Sequence, residues 1–282
     1  MDAATASGKI RPMIDPGTRT DDEVAALAHA SYVEFSRETA RWSGSAGELV
    51  ERDGYLLYAA GSDFPVSMNG VVRLDPAAPA GEVIAAADAW FGERGRGYSL
   101  TTDGYGDGEP DLVAEAEARG LLKLMHTPAM VCDARLADGA APDGVELRLA
   151  SSADDIAAFV AVNDAAYQTL GMPEGVIAAA VTAADRVLAP HVRTAIAWEG
   201  TTPLACAQIV LSHGIAGVYY VGTVEAARGR GLAELVTRTV TNLAFDLGAG
   251  FVILQASTMG DPIYRRMGYR EISRYTTHTR FT

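Results

Sequence analysis

The segment Val218-Tyr-Tyr-Val-Gly-Thr-Val-Glu-Ala-Ala-Arg-Gly-Arg-Gly-Leu-Ala233 joins an apolar run to a glycine-rich turn. Apolar residues then recur at helical spacing, which predicts an amphipathic helix directly after the turn. A helix N-terminus presents unpaired N–H groups and a partial positive charge. Because Gly229 and Gly231 have no side chains, a phosphate group can approach these N–H groups closely, and Arg228 and Arg230 add positive charge. The segment therefore predicts an α/β fold with a phosphate-binding turn, although a tight connection without a ligand is the alternative.

The residues around this turn indicate a second half of mixed α/β structure. Residues 145–150 alternate in polarity like a half-buried strand, and a helix with Ser152 as its N-cap follows. The remaining predicted elements are a helix at 174–188, strands at 194–198, 204–212, 215–223 and 251–255, a short helix at 261–267, and one or two strands within 269–281.

The first half repeats much of this order. Its predicted elements are a helix at 22–37, two strands within 54–74, a helix at 82–91, a strand at 98–102 and a helix at 111–119. We interpret the repeat as a diverged tandem duplication, and the alternative is that two unrelated α/β halves share this common order. The predicted division is a flexible lead-in at 1–17, a degenerate domain at 18–135, a linker at 136–144 and a catalytic domain at 145–282.

The first half lacks a phosphate-binding turn of its own. At the corresponding place stands Asp75-Pro-Ala-Ala-Pro79, which brings a negative charge and removes two N–H donors. The glycine-rich run at residues 92–97 follows a helix and enters a strand, so it points in the wrong direction. We therefore expect only one phosphate site in the chain.

Composition and charge exclude several classes of protein. The 282 residues are 49% hydrophobic, which is enough to bury real cores and excludes a disordered chain. The formal charge of −13 repels nucleic acid and anionic membrane surfaces, so we expect neither as a partner. No apolar stretch is long enough for a membrane span, and residues 1–17 lack the apolar core of a secretion signal. Cys132 and Cys206 stand in apolar runs without metal-ligand spacing. We therefore expect a cytoplasmic, reducing location and no metal.

The motifs of the second half resemble those of the GNAT superfamily of acyl-CoA-dependent N-acyltransferases. The resemblance rests on a strand, then Arg228-x-x-Gly231-x-Ala233, a helix, a strand and Tyr264-x-x-x-Gly268-Tyr269. It covers residues 145–281 well and the first half in outline. It implies two tandem GNAT-like halves, each a mostly antiparallel sheet flanked by helices, with acetyl-CoA as the cosubstrate.

The resemblance also implies roles for residues of this chain. The strand before the turn holds the pantetheine arm and polarises the thioester carbonyl, and the turn holds the pyrophosphate. The implied cofactor-binding residues are Val221, Gly222, Thr223, Arg228, Gly229, Arg230, Gly231, Leu232, Ala233 and Glu234.

The resemblance implies that the tyrosine of the short helix faces the CoA sulfur, which makes Tyr264 the candidate general acid. A phenol with a pKa near 10 is protonated at neutral pH and can donate to the departing thiolate. The alternative for Tyr264 is packing against the sheet, which is the role we expect for Tyr269. No carboxylate lies within residues 215–223 to act as the base. Glu225 stands just beyond as a weak candidate that is more typical of a solvated turn, and His213 ranks lower because it lies in a predicted hairpin turn.

Two functions remain open on the sequence. The leading one is direct transfer of an acetyl group from acetyl-CoA to a primary amine, by an enzyme that is a monomer or homodimer. The alternative is a non-catalytic acyl-CoA-binding or regulatory module, since half of the chain lacks the motifs. The acceptor can be a small molecule or a peptide, because the segments that contact it have no recognisable pattern.

Overall fold

A computed structural model of the chain describes residues 19–52 and 54–282. The flexible lead-in expected at residues 1–17 lies outside the described residues. Among the described helices, none combines the length and apolar character needed to cross a lipid bilayer.

The first half follows an order of helix, three strands, helix, strand, helix and strand. Its elements are α1 (Asp21–Arg41), β1 (Glu48–Arg52), β2 (Tyr55–Ala59), β3 (Asn69–Arg73), α2 (Ala80–Gly92), β4 (Tyr98–Asp103), α3 (Pro110–Ala118) and β5 (Leu122–Cys132). Helix α1 starts at a capping box, in which the Thr20 hydroxyl accepts from the Glu23 N–H and the Glu23 carboxylate accepts from the Thr20 N–H.

The second half repeats the three strands, helix, strand, helix and strand. Its elements are β6 (Val145–Leu149), α4 (Ala153–Gln168), α5 (Val176–Ala180), α6 (Ala184–Val187), β7 (Val192–Glu199), β8 (Thr202–Ser212), β9 (Ile215–Thr223), α7 (Leu232–Asp246), β10 (Val252–Gln255), α8 (Asp261–Met267) and β11 (Arg270–Arg280). Helix α4 starts at a second capping box, formed by Ser152 and Asp155. The mixed α/β class expected from the sequence is confirmed.

All strands belong to one sheet, in the order β1-β2-β3-β4-β11-β5-β10-β9-β8-β7-β6. The last strand of each half pairs with a strand of the other half: β5 lies beside β10, and β11 lies beside β4. The two last strands also pair with each other over most of their length. Because each half contributes its last strand to the other half's part of the sheet, the sheet does not divide at the predicted domain limits. The division into domains at 18–135 and 145–282 therefore stays a prediction.

The two faces of the second half carry different helices. Helix α7 packs one apolar face on β7, β8, β9 and β10, with Val236 and Val240 fully buried. Helix α4 packs on the opposite face of β8 and β9, with Phe159 fully buried. Helix α1 of the first half also contacts β8 and β9, so the first half covers part of the second.

Two regions differ from the sequence-based prediction. The alanine-rich residues 174–188 form two short helices instead of one, because the N–H groups of Thr182 and Ala183 donate to the Trp42 carbonyl across the halves. The second difference is that the sequence analysis predicted neither β1 nor β5. Strand β5 lacks a regular alternation of polar and apolar residues, because residues 122–126 are largely exposed while residues 128–132 are all buried.

Candidate active site

The strand before the glycine-rich turn contains a β-bulge. Cys206 of β8 faces Gly222, and Gln208 faces Tyr219, so Ala207 stands opposite two residues of β9. Tyr220 has a φ of 52°, in the left-handed region that non-glycine residues rarely adopt. The side chains of Tyr219 and Tyr220 consequently pack on the same face of the sheet, toward α4. Bulges of this kind bend a strand and redirect its backbone.

Strands β9 and β10 separate beyond the bulge. They pair in parallel from Ala216 and Val252 as far as Val218 and Leu254, while β9 stays paired with β8 through Thr223. The end of β9 therefore has no strand partner on its β10 side among the described residues. The opening between these strands exposes backbone groups that an extended ligand can pair with.

The glycine-rich turn lies at the end of β9 and leads into α7. Both Gly229 and Gly231 have positive φ values, 78° and 76°, and a Cβ atom added to either would meet nothing within 4 Å. The first backbone bond of the helix runs from the Leu235 N–H to the Gly231 carbonyl. The N–H groups of residues 232–234 therefore have no partner within the helix, and an anion can reach them.

The arginines of the turn are held by neighbouring elements. Arg228 donates to the hydroxyl of Thr169, which follows α4, and Arg230 pairs with Glu199 at 2.7 Å. Both arginines keep exposed surface, so a ligand at the turn can contact them. Glu234 pairs with Arg238 one helical turn later at 2.7 Å, which partly neutralises its negative charge.

Tyr264 lies on α8, the short helix that follows β10. Its side chain is 7% exposed, and its ring lies 5.9 Å from the ring of Tyr269. Burial raises the pKa of Tyr264 to about 12, and the Thr237 hydroxyl offsets this only in part. The phenol is therefore protonated throughout the neutral range. Burial raises the pKa of Tyr167 on α4, and the nearby Tyr220, Cys206 and Tyr264 side chains raise this pKa further, in that order.

Gly222 is fixed as glycine by the packing of α4. An added Cβ atom would lie 2.8 Å from the Oδ1 atom of Asn163. Asn163 is fully buried and donates through Nδ2 to the Phe159 carbonyl at 3.0 Å and to the Cys206 sulfur at 3.1 Å. Burial raises the pKa of Cys206 to about 12, so its thiol stays neutral. The sequence analysis missed Asn163, although an asparagine among the apolar residues of a helix face was its signal.

The candidate bases lie at different ends of β9. Glu225 is exposed in the three-residue 3-10 turn that follows Thr223. His213 is exposed in the hairpin turn before Ile215, at the other end of the nine-residue strand. At about 3.3 Å per residue, more than 20 Å separate His213 from the opening. In the described part of the chain, no group of three or more His, Cys, Asp or Glu side chains is arranged to hold a metal ion.

The corresponding region of the first half is filled by an ion-pair cluster. Strands β3 and β4 pair only at Gly70–Ser99 and Val71–Leu100, so they separate as β9 and β10 do. The buried Arg73 side chain occupies this place. It donates to Glu109 at 2.9 Å, to both oxygens of Asp111 at 2.7 and 3.0 Å, and to the Ala78 carbonyl at 3.3 Å.

The first half also lacks the phenol. The N–H of Leu121 donates to the Ala116 carbonyl at 3.0 Å, just as the N–H of Tyr269 donates to the Tyr264 carbonyl at 3.0 Å. Each pair spans a glycine with positive φ. Ala116 therefore stands where the second half has Tyr264.

Comparisons with known proteins bear on the fold. No protein-family profile matches the chain. A mycothiol acetyltransferase of Rhodococcus erythropolis is 24% identical, over 94% of this chain and 93% of the relative. A solved GCN5-related N-acetyltransferase from Kribbella flavida has a TM-score of 0.69 at 20% identity, covering 91% of this chain and 95% of its own. A tandem GNAT protein from the clavulanic acid biosynthesis pathway has a TM-score of 0.58 at 14% identity, covering 96% and 97%.

These similarities extend over nearly the whole chain and include both halves. The chain thus has the fold of the GCN5-related N-acetyltransferase superfamily, in a tandem arrangement.

Proposed function

We propose that this chain is an N-acetyltransferase that moves an acetyl group from acetyl-CoA to a primary amine. Its fold is that of acetyl-transferring enzymes, and its curated relative is an acetyltransferase. The observation that carries the proposal is the combination, in the second half, of an open glycine turn at a helix N-terminus and a buried, protonated phenol on the helix that follows β10. A non-catalytic module would need the turn but not the phenol.

The proposed cofactor site follows the opening from β9 to α7. Residues 229–234 would hold the pyrophosphate through their N–H groups, and Arg228 and Arg230 would add charge beside it. On the side that has no strand partner, the backbone of Val221, Gly222 and Thr223 would pair with the pantetheine arm, as an added strand pairs with a sheet edge.

The proposed reaction is a direct attack on the thioester. The amine loses a proton to a base, for which Glu225 is our candidate, and its nitrogen forms a bond to the thioester carbon. A strand N–H near Thr223 would stabilise the oxyanion of the tetrahedral intermediate. The C–S bond then breaks, and Tyr264 donates its proton to the leaving sulfur. The net charge of −13 favours a cationic acceptor.

Release of free thiol from acetyl-CoA tests the function. We expect release above the hydrolysis rate with at least one member of a panel of cationic amines, peptides with a free amino terminus and an amine related to mycothiol. The last is included because of the named activity of the curated relative. Glu225→Gln should slow turnover if its carboxylate is the base. Tight acetyl-CoA binding without amine-dependent thiol release across the panel would favour the non-catalytic alternative.

We expect one CoA molecule to bind per chain. Arg73 and its two carboxylate partners fill the first half's counterpart of the site, and Ala116 replaces the phenol there. Titration calorimetry should therefore give a stoichiometry close to one. Two equivalent sites would contradict the assignment of an active and a degenerate half.

A further inference from the structure

We infer that the first half positions the cofactor-binding edge of the second half, by clamping Tyr220 with Phe35 and Trp42. This inference rests on the proposed function, because it assigns a role to the β9 backbone that would hold acetyl-CoA. It gives the degenerate half a task that does not require a site of its own.

Tyr220 needs support from its surroundings. A non-glycine residue with a φ of 52° is strained, and such strain persists only where neighbouring structure enforces it. Glycine is the usual residue at the left-handed position of a bulge. Tyr220 stands immediately before Val221, Gly222 and Thr223, so its conformation sets the direction of that edge. Without packing around Tyr220, β9 would relax toward regular pairing with β8, and the backbone of residues 221–223 would move.

Aromatic rings from both halves surround Tyr220. The ring centroids of Phe35 and Trp42, on and just after α1, lie 5.9 and 6.0 Å from the Tyr220 ring. Those of Phe159 and Tyr167, on α4, lie at 5.6 and 6.3 Å. Phe35 is also stacked on the neighbouring Tyr219 at 3.7 Å. The first half thus supplies half of the rings that hold the bulge.

The burial of Trp42 is unfavourable in one respect. It is fully buried, and its indole N–H has no hydrogen-bond partner among the described residues. A buried unpaired donor is unfavourable, so the size and shape of the ring account for its presence.

The end of α1 is tied firmly to the second half. The Trp42 carbonyl accepts from the N–H groups of Thr182 and Ala183 at 2.9 and 2.8 Å. The Ser43 hydroxyl donates to the Ala180 carbonyl at 2.6 Å. These bonds fix the clamp relative to β9, because they join its backbone to the segment around α5 that packs in the same apolar cluster.

Affinity for two ligands tests the clamp in the full-length chain. Acetyl-CoA uses both the turn and the β9 edge, whereas adenosine 3′,5′-bisphosphate has no pantetheine arm and cannot reach the edge. We expect Trp42→Leu to weaken acetyl-CoA binding about tenfold, as loss of an enforced backbone conformation would, and to leave nucleotide binding unchanged. Phe35→Leu should act in the same direction. Trp90→Leu is the matched control on α2 and should change neither affinity.

A second background separates the clamp from simple packing. In Tyr220→Gly, the residue at the bulge adopts positive φ without help, so adding Trp42→Leu should change acetyl-CoA affinity less than twofold. Equal losses in both backgrounds, or equal losses for both ligands, would overturn the clamp. If Trp42→Leu does not fold, the same comparison is made with Phe35→Leu. A parent protein that binds neither ligand would refute the proposed function itself, and the clamp with it.

Discussion

Replacing Gly231 by aspartate should abolish acetyl-CoA binding while leaving the fold intact. The added carboxylate would stand at the N-terminus of α7, where we place the pyrophosphate, and like charges about 4 Å apart repel by several kcal/mol near a protein surface. We expect affinity to fall by at least ~100-fold in calorimetry. The space around Gly231 is open, so no side chain must move to accommodate the new group.

Gly231→Asn is the matched control. Asparagine and aspartate have similar size and both tolerate the left-handed conformation that Gly231 adopts, with a φ of 76°. The two variants should therefore melt at similar temperatures, and the asparagine variant should keep much more of its affinity. A folded Gly231→Asp protein that binds acetyl-CoA as the parent does would show that the pyrophosphate lies elsewhere.

Tyr264→Phe should lower kcat by about 100-fold with little change in acetyl-CoA affinity. The substitution keeps the ring that packs against Tyr269 and removes only the hydroxyl. A general acid contributes typically ~100-fold to 10,000-fold, and a thiolate is a tolerable leaving group, so we expect the lower end. Thiol-release assays at saturating acetyl-CoA measure kcat, and calorimetry measures acetyl-CoA affinity separately.

The pH profile gives an independent check. Because the pKa of Tyr264 is raised to about 12, its phenol stays protonated and its acid function should persist as the pH rises to about 10. A loss of kcat between pH 8 and pH 10 in the parent protein would therefore have to come from another group. The activity ratio of parent to Tyr264→Phe should be constant across that range.

Tyr269→Phe controls for the loss of a buried phenol. The Tyr269 hydroxyl shares a hydrogen bond of 2.6 Å with Thr241, on the α7 side of the core. Its removal should cost about 1 kcal/mol of stability, as a typical hydrogen bond does, without lowering kcat. An equal loss of kcat in both variants, or an unchanged kcat in Tyr264→Phe, would make Tyr264 a packing residue.

The sequence by itself determined the class of fold and the place of the candidate site. Both depend on local patterns. The strand, Arg228-x-x-Gly231-x-Ala233 and the helix lie within one short segment, and α8 ends at Met267, just before Gly268, as the sequence predicts. The two glycines adopt positive φ because the turn geometry requires it, and this requirement is local to the chain. That the first half is degenerate stays a prediction, which rests on Asp75 and two prolines at the place where the turn would be.

Tertiary structure alone decided how the halves combine. Exchange of β5 and β11 depends on pairing between residues more than 100 positions apart, which no local period encodes. The break between α5 and α6 likewise follows from bonds to Trp42, which override the helix propensity of the alanine-rich segment. The left-handed Tyr220 and its ring of aromatic neighbours follow from packing between α1, α4 and β9. Such contacts are set by the three-dimensional arrangement of distant segments, so only the folded chain reveals them.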